Sequence, residues 1–451
     1  MRKLHLAIAG SFLLLGALCG PAVATTYYLD GSVSSSGSGQ SWATAWKSFS
    51  NINGLKPGDI VLISGGTTGQ TYNTGEFDSA SGTNGNPITY KAATDAGHGG
   101  AITISSSSGN QFIYANPSSN IGQWIVFDGN VGGISNITIQ GWNTAVYGDG
   151  TVGMTFRYVK IKGTLRFGDP AHAIELDHVT LDLPSGSDHA VFGITCGGTS
   201  SYRTNLVHDS KFMLRYMRGN GWGDDGFQWP GCTSFYNNQW LGVYDANYPG
   251  NQHQDGIQTG SPYVAVYNNY FQNMQNYPIY GDSLNGNTIQ HYRIYNNVMY
   301  QPDTTGSQAV SIGCDGVACM QTDIIVGNNT VVSSDHCIFI NQGTSGTLTN
   351  SYVYNNLCYG SDILVGSSST SNNLTSTSGV TFVNPTSDWH LQSSSTAAIG
   401  KATSPSVLTS VYTTDKDANQ RPTGSWDIGA YQLSSSISVV APPTALSALV
   451  Q

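Results

Sequence analysis

The apolar residues of this chain fall in short β-branched and aromatic runs cut by Gly, Asn and Asp, without helical spacing. One phrase recurs. Tyr236-Asn237-Asn238 precedes Gln239-Trp240, and Tyr267-Asn268-Asn269 precedes Tyr270-Phe271. Tyr295-Asn296-Asn297, Gly327-Asn328-Asn329 and Tyr354-Asn355-Asn356 continue the series, and Asp177-His178 and His208-Asp209 are weaker earlier copies. The second residue of each pair is 178, 209, 238, 269, 297, 329 and 356, giving steps of 31, 29, 31, 28, 32 and 27 residues. A unit of that length with several short strands is one coil of a parallel β-solenoid. Successive coils then stack at about 4.8 Å. The repeated Asn residues are expected to form an internal ladder, each amide bonding the next coil.

A second phrase marks another edge of each coil. It reads Asp188-His189-Ala190-Val191-Phe192, Asp224-Asp225-Gly226-Phe227-Gln228, Gln254-Asp255-Gly256-Ile257-Gln258, Asn276-Tyr277-Pro278-Ile279-Tyr280, Ser307-Gln308-Ala309-Val310-Ser311 and Asp335-His336-Cys337-Ile338-Phe339. The aligned Val191, Phe227, Ile257, Ile279, Val310 and Ile338 are expected to point inward, with their neighbours outward. Cys196 and Cys232 take the same place in consecutive coils and are expected to pair. Cys314 and Cys319 are expected to close a small loop.

Two terminal stretches resemble secreted right-handed parallel β-helix proteins. Tyr27 to Gly31, Ala43 to Lys47, Leu55 to Asp59 and Asn84 to Tyr90 look like their opening, and Arg421 to Tyr431 looks like their closing segment. The resemblance covers residues 27 to 431 and implies an all-β chain, a single pectin-lyase-like right-handed β-helix. Many such proteins are polysaccharide lyases or glycoside hydrolases. The expected organisation is a signal peptide at 1–24, a β-helix catalytic domain at 25–432, and a Ser/Ala/Pro-rich tail or linker at 433–451.

The signal peptide rests on Arg2-Lys3, the apolar run from Leu6 to Leu18, and Ala22-Val23-Ala24. Its loss removes two basic residues and takes the net charge from −10 to −12. It also leaves six Cys, an even number that suits an exported, disulfide-bonded protein. Only 10% of the residues are charged and 55 are Gly, while 39% are hydrophobic. That composition excludes a long helical protein and a disordered one. An acidic chain is a poor nucleic-acid binder, and no later apolar run is long enough to span a membrane. The expected partner is a polysaccharide, met by a secreted or periplasmic monomer.

Of the 27 acidic residues only Glu76 and Glu175 are Glu, so carboxylate chemistry in the central coils falls to Asp. The densest cluster runs from Trp222 to Trp229, followed by His253 to Gln258. The aligned phrases put Asp225 and Asp255 in the same slot of adjacent coils. Two carboxylates so close repel, which raises one pKa and creates an acid and a base. Asp225 and Asp255 are therefore the expected acid–base pair, with Asp224 and His253 tuning them. The alternative is that Asp-Gly simply makes turns. Trp222 and Trp229, then Gln228, Gln258, Tyr280, Asp282, Arg293 and Arg218, are the expected substrate contacts. Trp240 and Tyr292 join the aromatic candidates.

The cluster is similar to the central motifs of polygalacturonase-type β-helix hydrolases, though the Asp-Asp coil comes first and Gly-His-Gly and Arg-Ile-Lys are absent. It is also similar to β-helix pectate lyases, in which such acids bind calcium. That likeness implies a possible Ca²⁺ at Asp224, Asp225 and Asp255, with no cofactor otherwise required. Lyase chemistry needs a base, yet no Lys occurs between Lys211 and Lys401. The base would be Arg215, Arg218, Arg293 or a His/Tyr pair. Three readings follow. Glycoside hydrolysis by paired Asp stands first, elimination on a uronate polymer by a lyase or epimerase-like site second, and a non-catalytic glycan-binding solenoid third.

Overall fold

The computed structural model describes residues 24–433, apart from 107–110, 143, 149, 184–188, 215–224, 244–253, 284–287, 303–307, 315–317, 334 and 367–368. Three long parallel sheets wind around one core in a right-handed β-helix. We call them A, with 14 strands, B, with 11, and C, with 10. One coil shows the plan. Asp225–Gln228 lies in sheet C, Thr233–Tyr236 in sheet A and Gln239–Leu241 in sheet B. The next coil repeats it with Ile257–Thr259, Val264–Tyr267 and Tyr270–Gln272.

The A-to-B corner is short because two residue types suit it. The first residue of each Asn-Asn pair holds a left-handed backbone, and so does the second residue of the two weaker copies, which sit one place out of the sequence alignment: His178, Asp209, Asn237, Asn268, Asn296, Asn328 and Asn355 have φ between 51° and 60°. Asn and Asp tolerate that region better than other non-glycine residues. The second residue of each Asn-Asn pair turns inward and builds the ladder. Asn269 Oδ1 accepts the backbone N–H of Asn238 at 2.9 Å and its side-chain amide at 3.0 Å. Asn297, Asn329 and Asn356 repeat the bond in turn. Asn373 extends the ladder one coil beyond the repeat visible in the sequence. At the other end Asn238 accepts from Ser210 N–H, and Ser210 Oγ from Val179 N–H.

The inward column of sheet C is as the alignment predicts. Val191, Phe227, Ile257, Ile279, Val310 and Ile338 are in register strand by strand, and all are buried. Cys196–Cys232 and Cys314–Cys319 both pair, with Cα separations of 4.9 and 5.6 Å. A third disulfide joins Cys337 and Cys358 across 5.5 Å. Three disulfides are the chemistry of an oxidising, exported compartment. Among the described residues no helix is long and apolar enough to cross a membrane. Residues from Phe382 to Ala430 fold back over the outside of the coils, where Trp389 packs on Tyr270 and Tyr300, Tyr412 on Tyr295, and Trp426 on Tyr412.

Candidate functional site

The Asp-Gly phrases lie at the corner where sheet B passes to sheet C. Here two successive residues face the core, a small one and then a large one: Ala190-Val191, Gly226-Phe227, Gly256-Ile257 and Ala309-Val310 are all buried. A Cβ on Gly226 would come within 2.7 Å of the buried Trp240 ring, and one on Gly256 within 3.0 Å of Phe271. The glycines therefore answer a packing need.

Asp225 and Asp255 do stack, as expected from their register. Asp225 Oδ1 accepts the Asp255 N–H at 3.0 Å, and Asp255 Oδ1 accepts the Tyr277 N–H at 3.2 Å. Both residues are 0% exposed. They repeat at this corner what the Asn ladder does at the other. So the side chains run along the helix axis, holding coil to coil; of the neighbours of Phe227 and Ile257 expected to face outward, Gly226 and Gly256 face the core instead.

The outward column of sheet C is different. Arg166, Phe192, Gln228, Gln258, Tyr280 and Ser311 are in register across six coils. Gln228 Nε2 donates to Gln258 Oε1 at 3.3 Å and to Asp225 Oδ2 at 3.5 Å. Tyr280 meets Tyr277 with ring centroids 4.9 Å apart. Trp229, in a left-handed backbone, lays its ring beside Gly260, where an added Cβ would be 3.3 Å from it. Gly260 borders Asp282, which is almost fully buried. The fold thus brings Asp225, Asp255, Gln228, Gln258, Tyr280, Trp229 and Asp282 to one face. Trp222, Asp224, His253, Arg218 and Arg215 lie outside the described residues.

Three expected residues sit elsewhere. Arg293 is on sheet A, where its guanidinium makes a bidentate pair with Asp323 at 2.8 Å to both oxygens. It is not brought to the sheet C face. Trp240 and Tyr292 are buried in the core, so they offer no sugar platform.

Two groups at the site were not singled out from the sequence. His189 occupies the Asp225 slot one coil earlier. Its ring stands 5.1 Å from that of Phe192. Burial pulls its pKa down to about 4, with Arg166 adding to the shift and Asp225 opposing it. The imidazole is neutral over most of the pH range. Arg166 lies over the other neighbour of this pair, its guanidinium carbon 5.4 Å from the Phe192 ring centre. The alignment already placed His189 opposite Asp225, and that was the available signal. Arg166 carries none, because its strand Thr164–Arg166 lacks the repeated phrase.

A separate charged cluster lies on the outer face of sheet A. Arg157 Nε pairs with Asp177 at 2.8 Å, and His208 Nδ1 with Asp209 at 2.9 Å. Asp177, His178 and Asp209 bring three potential metal ligands within 4.8 Å of one another. That mixed nitrogen and oxygen set is not a calcium cradle, and Arg157 and His208 already balance its charge. Burial pushes against protonation of His208, but its bonds to Asp209 and Glu175 and the charge of Asp177 outweigh this and hold its pKa at about 9. Glu175 is lowered, chiefly by His208, and Asp209 likewise. Asp177 is lowered despite burial, by His178 and Arg157. The His208 contribution is full below its unfolded value near 6.5 and is lost as pH rises through about 9. The carboxylate contributions are present above about pH 4 and are lost as pH falls through their depressed values. Buried His189, with its pKa lowered to about 4, costs stability as pH falls below about 6.5, so thermal melts across pH should peak at about pH 6.5. Glu175→Gln should flatten the alkaline decline; an unchanged alkaline limb would remove His208 from the account.

No protein-family model matches this chain, and no curated protein does. Among solved structures the fold is similar to that of several lyases. A crystal structure of the pectate lyase Pel9A aligns with a TM-score of 0.50 at 14% identity, over 91% of this chain and 97% of that one. A rhamnogalacturonan lyase aligns at 0.44 and 13% identity, over 78% and 85%. The PL6 alginate lyase AlyGC aligns at 0.43 and 14%, over 71% of this chain and 48% of its own. At such identity the likeness is one of fold.

Proposed function

We propose that the protein degrades an acidic polysaccharide by β-elimination on the outer face of sheet C. The observation that carries this reading is the placing of a neutral imidazole, His189, and a cation, Arg166, both against the ring of Phe192. Elimination from a uronate needs a base for the proton next to the carboxylate, and positive charge to steady the carboxylate as that proton leaves. His189 removes the proton at C5. The electron pair of that C–H bond becomes the C4=C5 double bond, the C4–O bond breaks, and the departing oxygen takes a proton from water. Arg166 faces the carboxylate, and Asp225 beside His189 stabilises the imidazolium that forms. Gln228, Gln258, Tyr280 and Trp229 line the track for the neighbouring sugars. The similarity in fold to a structure named as a pectate lyase agrees with this chemistry.

The sequence points to calcium as a possible cofactor at Asp224, Asp225 and Asp255. Its described donors, Asp225 and Asp255, are buried and each spends one oxygen on a backbone N–H. That does not match an open calcium site, and no step here uses one.

Hydrolysis by Asp225 and Asp255 is the second reading, favoured by their stacking. It asks two fully buried carboxylates to reach the glycosidic oxygen and a water. A panel of uronate and neutral polysaccharides, assayed for both reducing ends and ultraviolet absorbance, separates the two. Elimination predicts absorbance from the unsaturated product; reducing ends alone would establish hydrolysis. Arg166→Gln should raise KM on the acidic polymer and lower kcat/KM by roughly 10²-fold, the scale of one lost charge-stabilising group. An unchanged kcat/KM would remove Arg166 from the site.

A further inference from the structure

The geometry points to a second, non-catalytic site for an acidic polysaccharide on the outer face of sheet B. The strand Val159–Lys162 alternates buried and exposed residues, so Lys160 and Lys162 both project outward. Lys160 is in register with Thr180, and Thr180 with Lys211. Two coil steps, roughly 9 to 10 Å, separate Lys160 from Lys211. Lys162 stands beside Asp182 on the next strand. Even with that carboxylate the patch is positive, on a chain whose net charge is −10.

Four other cations of the chain are spent within the fold. Arg157 and Arg293 are ion-paired, while Lys416 and Arg421 are buried against backbone carbonyls. Among the described residues Lys160, Lys162 and Lys211 enter no ion pair. Lys160 and Lys162 are exposed and Lys211 is half-buried; among the described residues the C-terminal segment packs on this sheet only further along, with Trp389 over Tyr270 and Tyr300.

The occupant must be anionic, extended and able to run across strands. Double-stranded DNA carries a charge about every 1.7 Å and calls for far more cations than three. A polyuronate carries one charge per sugar, and Thr180 between the lysines offers its hydroxyl side chain to sugar hydroxyls. Such a site would hold the enzyme on a long substrate while sheet C works on it. It does not depend on which bond sheet C breaks.

Native gel electrophoresis through gels cast with polygalacturonate, alginate or dextran tests the idea. The protein should be retarded by at least one uronate polymer and not by dextran. The variant Lys160→Gln/Lys162→Gln/Lys211→Gln should weaken that binding by roughly ten-fold and flatten its salt dependence. Arg166→Gln should leave a lysine-dependent retardation in place, which separates this face from sheet C. Turnover of short oligosaccharides should be unchanged in the triple variant. Each single Lys→Gln variant should weaken binding in part, which keeps the test decisive if the triple variant folds poorly. Equal retardation of wild type and the lysine variants, equal retardation by dextran, or preferential binding of single-stranded DNA would overturn the proposal.

Discussion

His189→Gln is expected to lower turnover on the acidic polymer by roughly 10²- to 10⁴-fold, the usual cost of losing a positioned general base. Glutamine is close in size and keeps a hydrogen-bonding group, so the corner should still fold. In the wild-type enzyme kcat/KM should rise as pH increases through about 4, because only the unprotonated imidazole takes a proton and burial holds its pKa there. Asp225→Asn should move that limb to lower pH, since the Asp225 charge is what raises the His189 pKa. It should also slow turnover by withdrawing support from the imidazolium. The asparagine keeps an Oδ1 for the Asp255 N–H, so its melting point should stay near that of wild type. A His189→Gln variant with near-full turnover would place the base elsewhere, and Arg215, Arg218 and His253 would be the next residues to change.

The largest stability loss is expected from the ladder. Asn297 accepts from the Asn269 N–H at 3.0 Å and side-chain amide at 3.1 Å, and its own amide donates to Val266 O and Asn329 Oδ1. All of this is buried, so Asn297→Ala strands several polar groups at once. Each buried unsatisfied group costs about 1–3 kcal/mol, and about 3–5 kcal/mol in total is expected. Asn297→Asp should not rescue it, because a carboxylate cannot donate to Val266 O and would be a buried charge. Denaturant unfolding monitored by tryptophan fluorescence would measure the shift. Asn237→Ala, at the outer residue of a pair, should cost about 1–2 kcal/mol, through its left-handed backbone. Equal losses at the two positions would mean that the inward amide is not what holds the coils together.

The solenoid was legible in the sequence because a coil is a local object. Each Asn-Asn pair makes its own corner, so a period near 30 residues reports the winding directly. Val191 and its partners were legible for the same reason: one slot, one sheet, one direction. Cys196–Cys232 followed from that alignment. Cys337–Cys358 did not, because its two residues lie at a sheet C corner and in sheet B strand Leu357–Tyr359. Alignment relates positions on one sheet, and only the packed core relates one sheet to another.

The candidate site divides along the same line. The stacking of Asp225 on Asp255 was visible in the repeat, but not where their carboxylates turn. That depends on the double inward step at the corner, forced by Trp240 and Phe271 against Gly226 and Gly256. Arg293 looked available in the sequence because scarcity drew notice to it; Asp323, one coil on, claims it. Arg166 and His189 are separated by a stretch of chain that contains whole strands of sheets A and B, and they meet only because the coils stack in register. Local chemistry therefore wrote the coil into the sequence. The identity of the groups sharing one face was decided by stacking, since side-chain direction at a corner and the partner across a coil are set by packing that no single coil contains.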